Sequence, residues 1–200
     1  MKQWNQLMVA GCVAIAATAC SGDRDADTAK NDRPAAVGTS GSAASDPAKN
    51  DEAGRADRDF VGDMMADGRA EVELGKMAQQ KARNRQVKEF ASMMVRDHTK
   101  AGAELKTVAS HANVDMAKID ADMDDHKDVR DRLAKLSGME FDREYMKAMV
   151  DEHEKAVDDV EAKAEKADND HVKEWAAKTL PTLKKHLEEA RQIQESLEKR

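Results

Sequence analysis

The chain has 200 residues, 36% of them charged and 40% apolar, with aromatics at 3% and a formal net charge of −7. So few aromatics and only three prolines argue against a β-sandwich or barrel, whose strands lean on aromatic and β-branched side chains. The negative balance argues against a general nucleic-acid binder, and the sequence has no Gly-rich phosphate loop, HExxH or GxSxG signature.

The first twenty residues read as an address. Lys2 precedes an apolar run, Leu7 to Ala19. That run is too short for a hydrocarbon core of ~30 Å, which takes about 20 residues, and it has the form of a secretory signal. Ala17-Thr18-Ala19-Cys20 resembles the lipobox of bacterial lipoproteins, whose Cys is acylated after cleavage, although Ala17 stands where Leu is commonest. Val9-Ala10-Gly11-Cys12 fits the box better locally but leaves too short an apolar stretch before the cut. We therefore expect residues 1–19 to be a lipoprotein signal and Cys20 to be lipidated, the alternative being an ordinary cleaved signal. Ser21 rather than Asp follows the Cys, which in lipoprotein sorting favours the outer membrane. The expected location is the cell envelope, anchored by lipid in the outer membrane and facing the periplasm. With Cys12 removed and Cys20 acylated, no thiol is left for a disulfide or a thiolate metal site.

Residues 20–56 are Asp, Ala, Ser, Gly, Lys and Pro with Val37 the one large apolar residue, a composition that predicts a disordered linker. Helical periodicity begins at Phe60 and predicts four main helices. The first spans about 57–83 with Asp57 as N-cap, and the second about 85–112 after a break at Asn84. The third spans about 139–167, opened by Ser137 and Glu140 as a capping box, and the fourth about 170–198. A short helix, His126 to Leu136, is expected in the connection between the second and third. Each main helix is ~40 Å long at 1.5 Å per residue. Residues 113–125, if extended, reach about 43 Å, long enough to cross the bundle from end to end. The prediction is an all-α, ferritin-like four-helix bundle over 57–200, with one long crossover containing a short helix. The sequence also echoes itself: 89–105 aligns without gaps to 144–160, and 87–91 more loosely to 172–176, as a duplicated helical hairpin would.

Each main helix places one ionisable residue on its apolar seam, near the middle of its length. In the first, Glu71 lies on a stripe with Val61, Met64, Gly68, Gly75 and Ala78. His98 sits between Met94 and Ala101, His153 between Met149 and Ala156, and His186 between Leu183 and Ala190. In a bundle of equal helices four midpoints form one layer. Three imidazoles and a carboxylate at one level are a ligand set for one transition-metal ion. The residues three before each His are Val95, Val150 and Leu183, so the Glu-x-x-His pairs of a di-iron site are absent. Met94 and Met149, one turn before two of the histidines, could add thioethers for Cu(I), or simply fill the core. Pro181 falls inside the fourth helix and frees the carbonyl of Ala177. Gly68 and Gly75 are expected to permit close helix approach. His111, His126 and His171 are expected in solvent, as are charged runs such as Glu152–Lys155.

Several segments carry a family resemblance: Glu71-Val72-Glu73-Leu74-Gly75, Val87-Lys88-Glu89-Phe90-Ala91, Met94 to Thr99, Phe141 to Met146, and Thr179 to Leu183 with His186-Leu187. Together, over roughly residues 57–195, they resemble the bacterial extracytoplasmic family called domain of unknown function 4142. The resemblance implies a ferritin-like four-helix bundle, exported and often lipid-anchored. It also implies His at positions 98, 153 and 186, and no established activity. Two readings follow. One is an envelope protein that binds a metal in the His/Glu layer, for metal handling or stress defence. The other is a non-catalytic lipoprotein whose charged faces meet other envelope components. Nothing in the sequence assigns an enzymatic reaction.

Overall fold

The structure, a computed structural model, describes residues 47–115 and 126–199. Five helices follow one another: α1 (Pro47–Lys81), α2 (Arg85–His111), α3 (Lys127–Lys135), α4 (Gly138–Lys166) and α5 (Asp170–Glu198), with no strand among the described residues. Residues 1–46, and with them the signal, Cys20 and most of the expected linker, lie outside the described residues. Among the described residues no helix is long and apolar enough to cross a membrane.

The helix boundaries follow local chemistry. Asn84 opens α2 by accepting a hydrogen bond from the backbone N–H of Gln86 (2.8 Å), and Asn169 opens α5 by accepting from those of His171 and Val172 (2.9 and 3.3 Å). Both are N-caps satisfying donors that the first turn leaves free. Ser137 occupies the N-cap position of α4 but its side chain makes no capping bond, so the expected capping box does not form. The first helix starts at Pro47, ten residues earlier than expected. Pro is well suited to the first helical position, where its missing N–H costs nothing. Asp57, expected to cap its own helix, lies inside α1. α5 continues through Pro181 without interruption.

The buried apolar side chains form two clusters. One gathers the end of α1, the start of α2, the start of α4 and the end of α5, around Leu74, Phe90, Tyr145 and Leu197. The other gathers the opposite ends, around Phe60, Leu105, Val160 and Trp175. Hence α2 and α4 run in the same direction, each antiparallel to the other helix of its own hairpin. Glu71, His98, His153 and His186 all fall between the two clusters, so a polar layer divides the core at mid-height.

The two hairpins, α1–α2 and α4–α5, are held by matching clamps. The buried carboxylate of Asp57 accepts from the backbone N–H groups of Asp168 (3.0 Å) and Asn169 (2.8 Å) and from Lys163 Nζ (2.8 Å), fixing the α4–α5 turn. The buried carboxylate of Asp142 accepts from the backbone N–H groups of Arg83 (3.0 Å) and Asn84 (2.8 Å), fixing the α1–α2 turn. These pairs stand at one offset: 142 follows 57, and 169 follows 84, by 85 positions. The same offset relates two aromatic contacts, Phe60 with Trp175 and Tyr145 with Phe90, whose ring centroids lie 6.2 and 6.4 Å apart. The structural repeat is therefore the whole hairpin, in the register of the looser echo between 87–91 and 172–176. The stronger echo between 89–105 and 144–160 matches α2 to α4, which are not equivalent in this register.

At Gly75 α1 and α2 pack closely. A Cβ there would stand 2.8 Å from Val95 Cγ2 and 3.2 Å from the carbonyl oxygen of Ala91. Gly68 is different, since its Cβ would meet only His98 Nδ1, at an ordinary 3.8 Å.

Candidate functional site

Each residue of the polar layer comes from a different helix, at the level where the two apolar clusters part. His153 and His186 are 0% and 1% exposed, Glu71 5% and His98 9%. The three imidazoles form a nearly equilateral triangle, with ring centroids 5.4, 5.5 and 5.6 Å apart. Burying three imidazoles side by side demands partners for their nitrogens.

One nitrogen of each ring has such a partner. His98 Nδ1 lies 2.7 Å from Glu71 Oε2, and His186 Nε2 lies 3.2 Å from Asp97 Oδ2. His153 Nδ1 lies 3.0 Å from the carbonyl oxygen of Met149 and 3.4 Å from Glu71 Oε1. The other nitrogens, His98 Nε2, His153 Nε2 and His186 Nδ1, are buried with no hydrogen-bond partner among the described residues. One nitrogen from each ring lies within 4.8 Å of those from the other two. Nitrogens on a tetrahedral ion at about 2.1 Å stand roughly 3.4 Å apart, so the triad would draw in by at most about 1.4 Å to hold one.

Glu71 stands outside this converging group. It braces His98 from behind, the placement of a carboxylate that orients a ligating imidazole. Burial opposes its charge, but His98, His153 and His186 outweigh that and hold its carboxyl at about 2. Burial likewise opposes protonation of His98, and the adjoining Glu71 carboxylate overcomes it and raises the ring's pKa. His153 is lowered, chiefly by burial. Burial and the neighbouring His98 push His186 down to about 4. The shifts favour charge on Glu71 and His98 and neutrality on His153 and His186.

A cavity of about 50 Å³ adjoins the layer on the side of the Trp175 cluster, reaching Glu71, His98 and His186. Asp67, Asp97 and Glu152 also line it. Glu152, expected on a solvated face, is half-buried here, and its carboxyl is raised chiefly by burial. His126, also expected in solvent, is buried just before α3. Its Nε2 lies 2.8 Å from Asp67 Oδ1 and its Nδ1 3.9 Å from Glu152 Oε1. By contrast, His111 and His171 are exposed, as expected, and stack on each other with centroids 4.1 Å apart. Met94 and Met149 are fully buried in the first apolar cluster.

The spacing argument found the four layer residues and missed Asp67, Asp97, His126 and Glu152. Asp67 could have been found, one turn before Glu71 on the same face of α1. Asp97 and Glu152 directly precede His98 and His153, where a seam pattern assigns them to the helix flank. His126 depends on where α3 docks, which periodicity does not specify.

The hydrogen bond to Asp67, together with the charges of Asp67, Glu152 and Glu71, raises the pKa of His126 against the effect of burial. A raised folded-state value means that this contribution is complete below the unfolded value of ~6.5 and fades as pH climbs through the folded one. Asp67→Asn should therefore cost more stability at pH 6 than at pH 8.5, as urea titrations at the two values would measure. An equal cost at both would show that the pair does not titrate as described.

Compared with known protein families, residues 40–193 match the model described as Domain of unknown function (DUF4142). No curated protein and no solved structure matches the chain.

Proposed function

Because the chain belongs to the domain-of-unknown-function 4142 family, which brings no activity with it, we propose its function from the site: a cell-envelope protein that binds one transition-metal ion through His98, His153 and His186. Two observations carry this reading: the three buried histidines, one per helix, offer ring nitrogens within 4.8 Å of one another, and each ring has one nitrogen with no hydrogen-bond partner among the described residues. Glu71 and Asp97 each engage the opposite edge of a ring, which fixes its orientation. Neutral imidazoles suit Zn, Cu, Ni or Co better than Mg or Ca. Metal handling or defence against metal stress is the matching physiological role. Parallel α2 and α4, with α3 between them in the chain, support a ferritin-like connectivity in which the link crosses the bundle lengthwise.

Localisation is the second element of the proposal. The charge–apolar–Cys order of the first twenty residues supports a lipid anchor at Cys20, and Ser21 supports the outer membrane facing the periplasm.

Two measurements test these elements. Purified protein stripped with chelator and reloaded with Zn²⁺ or Co²⁺ should retain about one equivalent. His98→Ala, His153→Ala and His186→Ala should each lose it. Uptake that is absent, or unchanged in all three variants, would reduce the layer to a hydrogen-bond network and favour a non-catalytic interaction protein. Labelled fatty acid should enter the wild-type chain in cells and not Cys20→Ser; equal labelling of both would remove the anchor from Cys20.

A further inference from the structure

The hairpin repeat explains why a cavity lies beside the polar layer. Shifted by 85 positions, Glu71 corresponds to Ala156, His98 to Leu183, His153 to Gly68 and His186 to Ala101. All four counterparts line the cavity. At one of the two mid-height spaces that the repeat relates, the two hairpins together place three imidazoles and a carboxylate. At the other they together place two alanines, a glycine and a leucine, which leaves room. At ~10–15 Å³ per water, about 50 Å³ accommodates roughly three to five water-sized groups.

Resting on the metal reading above, we infer that an ion on the triad keeps one coordination position open to this cavity, and that the position takes a small neutral ligand carrying its own N–H or O–H. Three imidazoles leave a four-coordinate ion one ligand short. The nearest carboxylate, Glu71, is engaged by His98 at 2.7 Å and stands outside the converging nitrogens. The fourth ligand must then come from the cavity, where water is the default occupant. Three helix-flank carboxylates, Asp67, Asp97 and Glu152, line the space with Glu71, and among the described residues no lysine or arginine lines it. Arg96 reaches Asp97 only from an exposed flank, at 2.8 Å. Such a wall repels small anions and offers acceptors to a ligand that donates hydrogen bonds. Binding is a ligand exchange: the incoming lone pair replaces that of water, and no electron is transferred. A site closed by four protein ligands would be structural; one with a position open to solvent-sized molecules is of the kind that supports chemistry at the metal.

The test uses the full chain loaded with Co²⁺, whose visible spectrum reports its coordination. Hydroxylamine should shift the spectrum at concentrations at least tenfold below those at which azide does. Ala156→Leu, which fills the cavity from a position outside the ligand set, should still take up one Co²⁺ but lose that response. Ala101→Leu provides a second filled cavity should the first variant fold poorly. A loaded protein whose spectrum ignores every added ligand would overturn the open position while leaving the triad intact. A stronger response to azide than to hydroxylamine would overturn the ligand class. Failure of the wild-type chain to take up Co²⁺ would remove the metal reading, and this inference with it.

Discussion

Replacing His98 with leucine in the metal-free protein should lower its stability by about 3–5 kcal/mol, the cost of leaving a buried carboxylate without its partner. Glu71 is 5% exposed, and His98 is the strongest of the influences that hold its carboxyl at about 2, so the variant leaves a buried carboxyl without its main partner. His153 is no ready substitute partner, because its Nδ1 also serves the Met149 carbonyl at 3.0 Å. For a domain of this size the loss corresponds to roughly 6–20 °C in Tm. The double variant Glu71→Leu/His98→Leu should recover most of it, since exchanging a whole buried pair for apolar groups is often neutral or better. Thermal and urea unfolding of the four proteins of this cycle would measure the coupling. Additive losses would show that the two side chains are energetically independent despite their 2.7 Å contact.

The second large effect concerns the clamps. Asp57→Ala strips two backbone N–H groups of the α4–α5 turn and Lys163 of their acceptor, and Asp142→Ala does the same to two N–H groups of the α1–α2 turn. Each should cost about 2–3 kcal/mol, the upper part of the range for losing hydrogen bonds between part-buried donors and a charged acceptor. The two aspartates brace opposite ends of the bundle, so the double variant should lose about 4–6 kcal/mol by simple addition. Denaturant midpoints would read this directly. A loss under 1 kcal/mol from either single change would mean that water serves the turn equally well.

Much of the architecture was legible because it rests on period. The seams around His98, His153 and His186 specified which face is buried, and the expectation of equal helices specified the height, although α1 extends to 35 residues at its N-terminal end. Between them they placed all four residues in one layer. Turn chemistry was legible too, at Asn84, but Asn169 and the two buried aspartates were not. Asp57 has the local look of a helix N-cap, and nothing in its neighbourhood says that its acceptor capacity is spent on residues 111 and 112 positions away. The same limit applies to His126. Its burial depends on Asp67 and Glu152 of two other helices, and a sequence window sees none of them. Glu71 was assigned to the right layer, yet its place behind His98 rather than among the converging nitrogens is a matter of ångströms. Spacing fixes a face to within a helical turn, which is coarser than that.

The paired clamps have a consequence for how the chain is held together. Each half carries the aspartate that the other half's turn requires, so neither hairpin completes its own hydrogen bonding. A lone hairpin could satisfy both ends only against a second copy, the arrangement that duplication and fusion of a self-associating ancestor would leave behind. The polar layer departs from that symmetry, because its four positions have small or apolar mates. It is nonetheless divided two and two, Glu71 and His98 on one half, His153 and His186 on the other. A ligand gripped by all three histidines would therefore act as a rivet between the halves.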